Sequence, residues 1–278
     1  MYTHNVMRLS AGLCLLLAAC WLLPGQSSST RRSASTSKKA AADPKPELPD
    51  PPPPPPPPVK TPSEKLTYDI EWRLIHAGTA VIDAQKSHAE LKLESAGMVS
   101  TLFKVHDTYS VNYEDPFCAT SSMMESFEGK RHHETRITYD RGQNRASYLE
   151  RDMIKNVVLH SDEVATPNCV HEVIGAILKL RGMPMEPGQS TQIPMSDGRR
   201  SAGVKIEAQE REQVSTPAGT FKTVRYEAGM MNGVVYTRKG RAQLWLTDDA
   251  RHVPVQIRVR MQFPIGTVTL QLEKEEHP

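Results

Sequence analysis

The chain has 278 residues and a formal net charge of +2, with Lys and Arg mixed among Asp and Glu along its length. No single-sign stripe is available to hold a phosphate backbone, so nucleic acid is excluded as the expected partner. The first sixty or so positions are too biased in composition for a packed core, which leaves about 215 residues, enough for one sizeable domain.

Residues 1–23 carry the basic residue Arg8 and then the run LSAGLCLLLAACWLL. The run is short for a membrane span of about 20 apolar residues and suits an export signal. Within it Leu17-Ala18-Ala19-Cys20 resembles the lipobox of bacterial lipoproteins, which implies lipidation of the Cys20 thiol and a new N-terminus there; Trp21, Leu22 and Leu23 depart from the usual pattern. Cleavage around residues 25–28 and retention as an uncleaved anchor are the competing readings, and all three put the remainder outside the cytoplasm. The expected location is the periplasm or cell envelope, tethered to a membrane through the N-terminal anchor, with secretion in soluble form as the alternative.

Residues 24–63 are dominated by Ser, Thr, Lys, Ala and Pro, including an unbroken proline run over 51–58. With almost nothing apolar to bury, this segment is expected to be disordered or extended. Its prolines alone span about 25 Å of polyproline II, so it reads as a spacer between membrane and domain.

At Leu66 the pattern changes. Leu66, Tyr68, Ile70, Trp72 and Leu74 alternate with polar residues at the period of a half-buried strand, opening a domain over 64–276. His76-Ala77-Gly78 reads as a turn, followed by alternation at Ala80, Ile82 and Ala84 and at Ala89, Leu91 and Leu93. Strands are predicted over 105–113, 121–127, 132–139 and 144–151, with Glu128-Gly129-Lys130 and Asp140-Arg141-Gly142 as turns. One apolar and one charged face per strand predicts an antiparallel sheet with one side wet.

Residues 166–182, TPNCVHEVIGAILKLRG, read as an amphipathic helix. Thr166 or Asn168 is its expected N-cap, Val170, Val173, Ile174, Ile177 and Leu178 its apolar face, and Gly182 its stop. Strands resume around Val204, 221–226, 242–246, 253–262 and 268–272, with Pro254 on a polar face at an edge or strand start. About a dozen one-sided strands exceed a comfortable flat sheet. The expected fold is therefore mainly β: an antiparallel meander curled into an open or nearly closed barrel around one central α-helix. Cys118 and Cys169 are expected to pair as a disulfide in an oxidising compartment; two buried free thiols or half of a metal site are the alternatives.

Ser215-Thr216-Pro217-Ala218-Gly219-Thr220-Phe221, then Leu244-Trp245-Leu246-Thr247-Asp248-Asp249 and Pro254-Val255, resemble in kind and order the motifs of the bacterial family of domains of unknown function numbered 3108. The likeness runs over about 64–274, with Thr247 where that family has serine. It implies an exported envelope protein with a β-rich fold and no assigned activity. Thr216, Pro217, Gly219, Phe221, Trp245, Asp248 and Asp249 are read as architecture: a turn, a hairpin tip, and an indole lying across a barrel rim.

No catalytic residue, metal or cofactor is assigned. In His132-His133-Glu134 adjacent strand residues point to opposite faces, so one site can use only one of the two histidines. His171-Glu172 and His106-Asp107 lack further ligands and read as polar positions. Ser196-Asp197-Gly198 lacks the small-residue elbow of a hydrolase nucleophile, and no phosphate-binding glycine loop follows a strand. The expected function is a non-catalytic binding or structural role toward an envelope component, whether protein, peptidoglycan or lipid. A carrier or sensor of hydrophobic ligands is the first alternative, and an envelope hydrolase the second.

Overall fold

The computed structural model describes residues 63–230, 240–260 and 266–277. The expected export signal, Cys20 and nearly all of the spacer lie outside the described residues. One antiparallel sheet of fourteen strands dominates, in the order β8-β7-β6-β5-β4-β3-β2-β1-β14-β13-β12-β11-β10-β9. The first meander comprises β1 (Glu64–Trp72), β2 (Ile75–Ala84), β3 (His88–Ser95), β4 (Val105–Glu114), β5 (Cys118–Glu128), β6 (Arg131–Asp140), β7 (Arg145–Asp152) and β8 (Val157–Ala165). The second comprises β9 (Ser190–Ser196), β10 (Ser201–Thr216), β11 (Gly219–Met230), β12 (Gly240–Thr247), β13 (Pro254–Arg260) and β14 (Thr267–Glu276). They join where β14 pairs with β1. Helix α1 (Gly97–Leu102) interrupts the first, and α2 (Val173–Arg181) connects the two.

The sheet is not closed, since β8 and β9 do not pair. It curls far enough for its two ends to meet through side chains. Gly198, in the β9–β10 turn, sits against Ile137 of β6 so tightly that a Cβ would lie 2.7 Å from that side chain. Arg199 reaches Asp162 of β8 at 2.9 Å and lies 5.4 Å from the Tyr148 ring.

Two apolar clusters form the core. The larger joins Leu66, Tyr68, Ile82, Val111, Ile137 and Tyr148 of the first meander to Val255, Leu270 and Leu272 of the second. The smaller lies within the second meander, around Ile193, Val204, Ile206, Tyr226, Leu244 and Leu246. Helix α2 contributes to both: Ile174 and Leu178 to the first, Ala176 and Leu180 to the second. Burying each of these leucines stabilises the fold by roughly 1.5–3 kcal/mol.

Several local expectations are corrected. The helix starts at Val173 with Glu172 at its N-cap, not at Thr166 or Asn168. Val170 belongs instead to an extended segment, its carbonyl accepting from Ala119 N of β5 at 2.8 Å. Val173 faces solvent, because a helix buried on two sides has its polar stripe displaced from the place a one-sided reading assigns. The first turn is Arg73-Leu74, both with positive φ, and His76-Ala77-Gly78 lies inside β2. Strand β8 and helix α1 have no counterpart in the sequence reading; β8 is exposed on nearly every residue and so carries no alternation to detect.

One wet side fails for β12 and β13. Leu244, Trp245, Leu246 and Thr247 are all buried, as are Val253, Pro254, Val255 and Gln256. The cause is the long β10–β11 hairpin, whose tip turns back over the sheet until Ala218 N donates to Leu272 O of β14 at 2.9 Å. Trp245 thus faces the larger core while its neighbours Leu244 and Leu246 face the smaller. Pro254 opens a central strand, not an edge, at a register shift where a missing N–H is tolerated.

Candidate functional site

The polar chemistry of the domain gathers at both ends of α2, at one spot on the inner face of β4 and β5, and along the exposed ends of the sheet. At the helix N-terminus, residues 169–172 bridge the two meanders. His171 N donates to Pro194 O at 2.9 Å and Ser196 N to His171 O at 3.2 Å, while the Cys118–Cys169 disulfide, with Cα atoms 5.0 Å apart, holds the segment to β5. The His171 ring lies 2.7 Å from Phe117 O; a carbonyl only accepts, so Nδ1 carries the proton. Burial depresses the His171 pKa and keeps the imidazole neutral.

Beside it, the Glu172 carboxyl turns inward. Ser122 Oγ donates to Oε1 at 3.2 Å, Tyr139 OH donates to the same oxygen, and the Tyr109 phenol adjoins it. Burial pushes Glu172 up to about 7; the three hydroxyls offset part of that rise, and nearby Asp197 adds to it. A carboxyl in that range can hold or release a proton near neutrality. Glu172 and His171 are nonetheless only 6% and 2% exposed, too enclosed to touch a substrate in this conformation. What the cluster does is dock the helix N-terminus to β4, β5 and β6.

The C-terminal end is built differently. The Arg181 guanidinium meets the Glu64 carboxylate through both Nη atoms, and both groups are buried. Arg181 Nη2 also donates to Arg251 O at 3.2 Å, and His252 Nδ1 donates to Arg181 O at 2.9 Å. Tyr68 OH donates to Pro254 O at 2.8 Å close by. The first residue of β1, the end of α2 and the β12–β13 turn are thereby locked together.

A third cluster lies near the rim that carries the β1–β2 and β5–β6 turns. Asp107 and Glu128 are 1% and 5% exposed. Phe127 N donates to Asp107 Oδ1 at 3.0 Å, but Asp107 Oδ2 and Glu128 Oε1 have no hydrogen-bond partner among the described residues. Burial first pushes Asp107 up to about 6 and Glu128 up to about 7, the latter helped by repulsion from Asp107. The sequence reads Glu172 and Asp107 as ordinary polar positions and Glu128 as a turn residue, whereas all three are buried. Strand parity held the signal for the last two: Asp107 shares a face with the inward Tyr109 and Val111, and Glu128 with Ser122 and Ser126.

The residues assigned to architecture occupy turns. Thr216, Pro217 and Gly219 shape the β10–β11 tip docked on β14, and Phe221 packs from there against the larger core. Trp245 is only 3% exposed and donates from Nε1 to Glu212 at 2.7 Å, so it is a core residue and not one lying across a rim. Asp248 accepts from Arg211 Nε at 2.9 Å; Asp249 Oδ1 accepts from Thr247 Oγ1 at 2.7 Å and Arg251 N at 2.9 Å, fixing the β12–β13 turn. Asp197 serves its own turn, accepting from Arg199 N and Arg200 N at 2.9 and 2.7 Å. His132 and His133 face different partners, Glu125 at 2.9 Å and Glu150 at 3.3 Å. Among the described residues no group of three or more His, Cys, Asp or Glu is placed to hold a metal ion.

The two terminal strands differ. β9 contains Pro194, and its backbone is met by residue 171. β8 pairs only with β7 among the described strands, and its first residues Val157, Val158 and Leu159 are 45%, 53% and 38% exposed, next to Ile154 at 65%.

Among solved structures, the fold is similar to a β-barrel-like protein of the DUF1849 domain from Brucella abortus, with a TM-score of 0.55, 7% identity, and coverage of 79% of this chain and 99% of that one. A DUF1089 family protein from Pseudomonas aeruginosa matches at a TM-score of 0.36 and 12% identity over 66% of this chain and 90% of its own, too remote to bear on the fold. No curated protein matches this sequence. Residues 67–273 match the family described as "Protein of unknown function (DUF3108)", and the chain belongs to that family.

Proposed function

We propose that this protein is an exported, membrane-tethered domain of the cell envelope that binds without catalysis, and that its partner is a protein whose extended segment adds to strand β8. The single observation that carries the reading is the contrast between the strands at the two ends of the sheet. β9 is blunted by a proline and a bridging segment, whereas β8, met by Arg199 only at Asp162, presents the outer edge of its first half beside four exposed apolar residues, Ile154, Val157, Val158 and Leu159. An uncovered apolar edge is a template for strand addition, and folded proteins ordinarily protect such edges. Export is supported by the apolar N-terminal run and by the disulfide, which an oxidising compartment sustains. In this reading the curled sheet and α2 form a filled scaffold. That counts against a carrier of hydrophobic ligands, because a carrier needs an apolar chamber and α2 sends side chains into both cores. The enclosure of Glu172 and His171 likewise counts against hydrolysis.

The test is site-specific photocrosslinking in intact cells. A photoreactive residue at Val158 or Leu159 is expected to trap one discrete partner, and Val158→Lys with Leu159→Lys to abolish capture. Equal trapping from a control position at Lys92, on the exposed face of β3, would reject the edge as the contact. Lipid found by native mass spectrometry in the purified protein would restore the carrier reading.

A further inference from the structure

One rim of the sheet combines features that neither the fold nor β8 requires. In the β1–β2 turn both central residues, Arg73 and Leu74, adopt the left-handed conformation, at φ 52° and 66°. Turns of this kind ordinarily place Asn and Gly there, since a Cβ and a bulky side chain make the conformation unfavourable. Here the turn displays a leucine that is 91% exposed. Ile75 follows at 48% exposure. Helix α1 stands beside this turn, fastened by Ala96 N donating to Ala77 O at 2.8 Å, and none of its residues is buried. Its Met98 and Leu102 are 66% and 76% exposed.

Basic residues continue the same rim. Phe103, just past α1, packs against Gly129 of the β5–β6 turn, and Gly129 N donates to Lys104 O at 2.7 Å, so Lys104, Lys130 and Arg131 lie next to the apolar tips. All three are exposed and enter no ion pair among the described residues, unlike Lys92, Lys155, Lys205 and Lys274, each of which is held by a carboxylate on its own strand or turn. The exposed carboxylate at the end of β3, Glu94, is itself within 3.3 Å of His106.

We propose that this rim docks on an anionic lipid bilayer, with Leu74, Ile75, Met98 and Leu102 entering the headgroup layer and Lys104, Lys130 and Arg131 meeting lipid phosphates. Apolar side chains on projecting turns, interleaved with unpaired basic residues, suit a fluid charged surface. The two lysines set the rim apart from a protein interface, whose buried centre is depleted in lysine. Reach is not limiting. The rim lies at the far end of β1 from the point where residues 24–63 enter, about 30 Å along the strand, and those residues extend to more than about 100 Å at roughly 3.3 Å each. The contact shares its rim with the β7–β8 turn, where Met153 N donates to His132 O at 2.8 Å, but uses none of the four apolar residues of the β8 edge, so either can fail alone.

Hydrogen exchange of the full chain with vesicles tests it. Vesicles of phosphatidylglycerol are expected to slow exchange at residues 73–76 and 97–104 about tenfold, with 157–165 unchanged. Vesicles of phosphatidylcholine are expected not to, although any attachment through residues 1–23 is common to both. Lys104→Glu and Lys130→Glu should each weaken the protection about fivefold, and Leu74→Ser with Leu102→Ser should remove it without lowering the thermal unfolding midpoint. No slowing on the anionic vesicles, equal slowing on the neutral ones, full protection in the serine variant, or protection that appears with protein concentration in the absence of lipid would each overturn the proposal, the last in favour of a second copy of this chain.

Discussion

Helix α2 buries a carboxyl at each end, and the two ends solve the same problem in opposite ways. At the N-terminus Glu172 is surrounded by the hydroxyls of Ser122, Tyr139 and Tyr109 and faces no cation, so desolvation dominates and the carboxyl favours its proton up to about pH 7. At the C-terminus Glu64 is met by the two-pronged guanidinium of Arg181, which also donates to the Arg251 carbonyl. A buried acid can thus be neutralised by a proton or by a partner. The first choice makes stability depend on pH; the second makes it depend on an intact pair.

The comparison can be broken in order of size. Arg181→Met leaves the Glu64 charge buried without a partner and should cost about 3–5 kcal/mol in urea unfolding, whereas the double change Glu64→Leu with Arg181→Met should cost less than the single one. A single change costing under about 1 kcal/mol would mean the pair contributes little rigidity. At the other end, Cys118→Ser with Cys169→Ser frees a loop of sequence separation 51 and should cost about 2–5 kcal/mol. The amide exchange it increases should be concentrated near residues 169–172.

The pH effect comes next. Glu172, Glu128 and Asp107 are all raised in the folded state, to about 7, 7 and 6. A group that binds its proton more tightly when folded stabilises the fold at low pH, and that contribution is lost as pH climbs from the ordinary carboxyl range through the raised values. These three carboxyls should therefore favour the fold at pH 5 over pH 8, Glu172 by on the order of 2 kcal/mol. The depressed His171 pulls the other way as pH falls, so the carboxyl part is read as the difference between wild type and Glu172→Gln. Glu172→Gln should flatten that part of the profile and be neutral or stabilising at pH 8. A difference that instead rises toward pH 8 would show the cluster to be ionised and paired. The smallest effect belongs to Tyr139→Phe, about 1 kcal/mol, with the midpoint of the pH profile moving upward as Glu172 loses a donor to its charged form.

Most of the strands were legible because one face of a curled sheet must be apolar: alternation in 105–113 and 132–139 maps onto β4 and β6, and that in 66–74 onto β1 as far as Trp72, beyond which Leu74 falls in the turn. What escaped detection did so for identifiable reasons. β8 reaches the core through Val164 and is exposed along its first half, so it carries no sustained period-2 pattern. Asp107 and Glu128 carry inward parity but polar identity, and a reading that equates polar with outward misses them. The His171-Glu172 pair looked like an ordinary polar position because the hydroxyls that enclose it come from strands 33 and 50 residues away in sequence.

The amino-acid sequence alone determined the strand-rich class and the turns at 216–219 and 247–249, since each depends on composition or on neighbours a few residues apart. Tertiary structure alone decided that β12 and β13 are buried on both faces, that α2 belongs to two cores, and which carboxyls are proton-neutralised and which paired. Those outcomes depend on which distant strands arrive at the same place, and local periodicity carries no record of that.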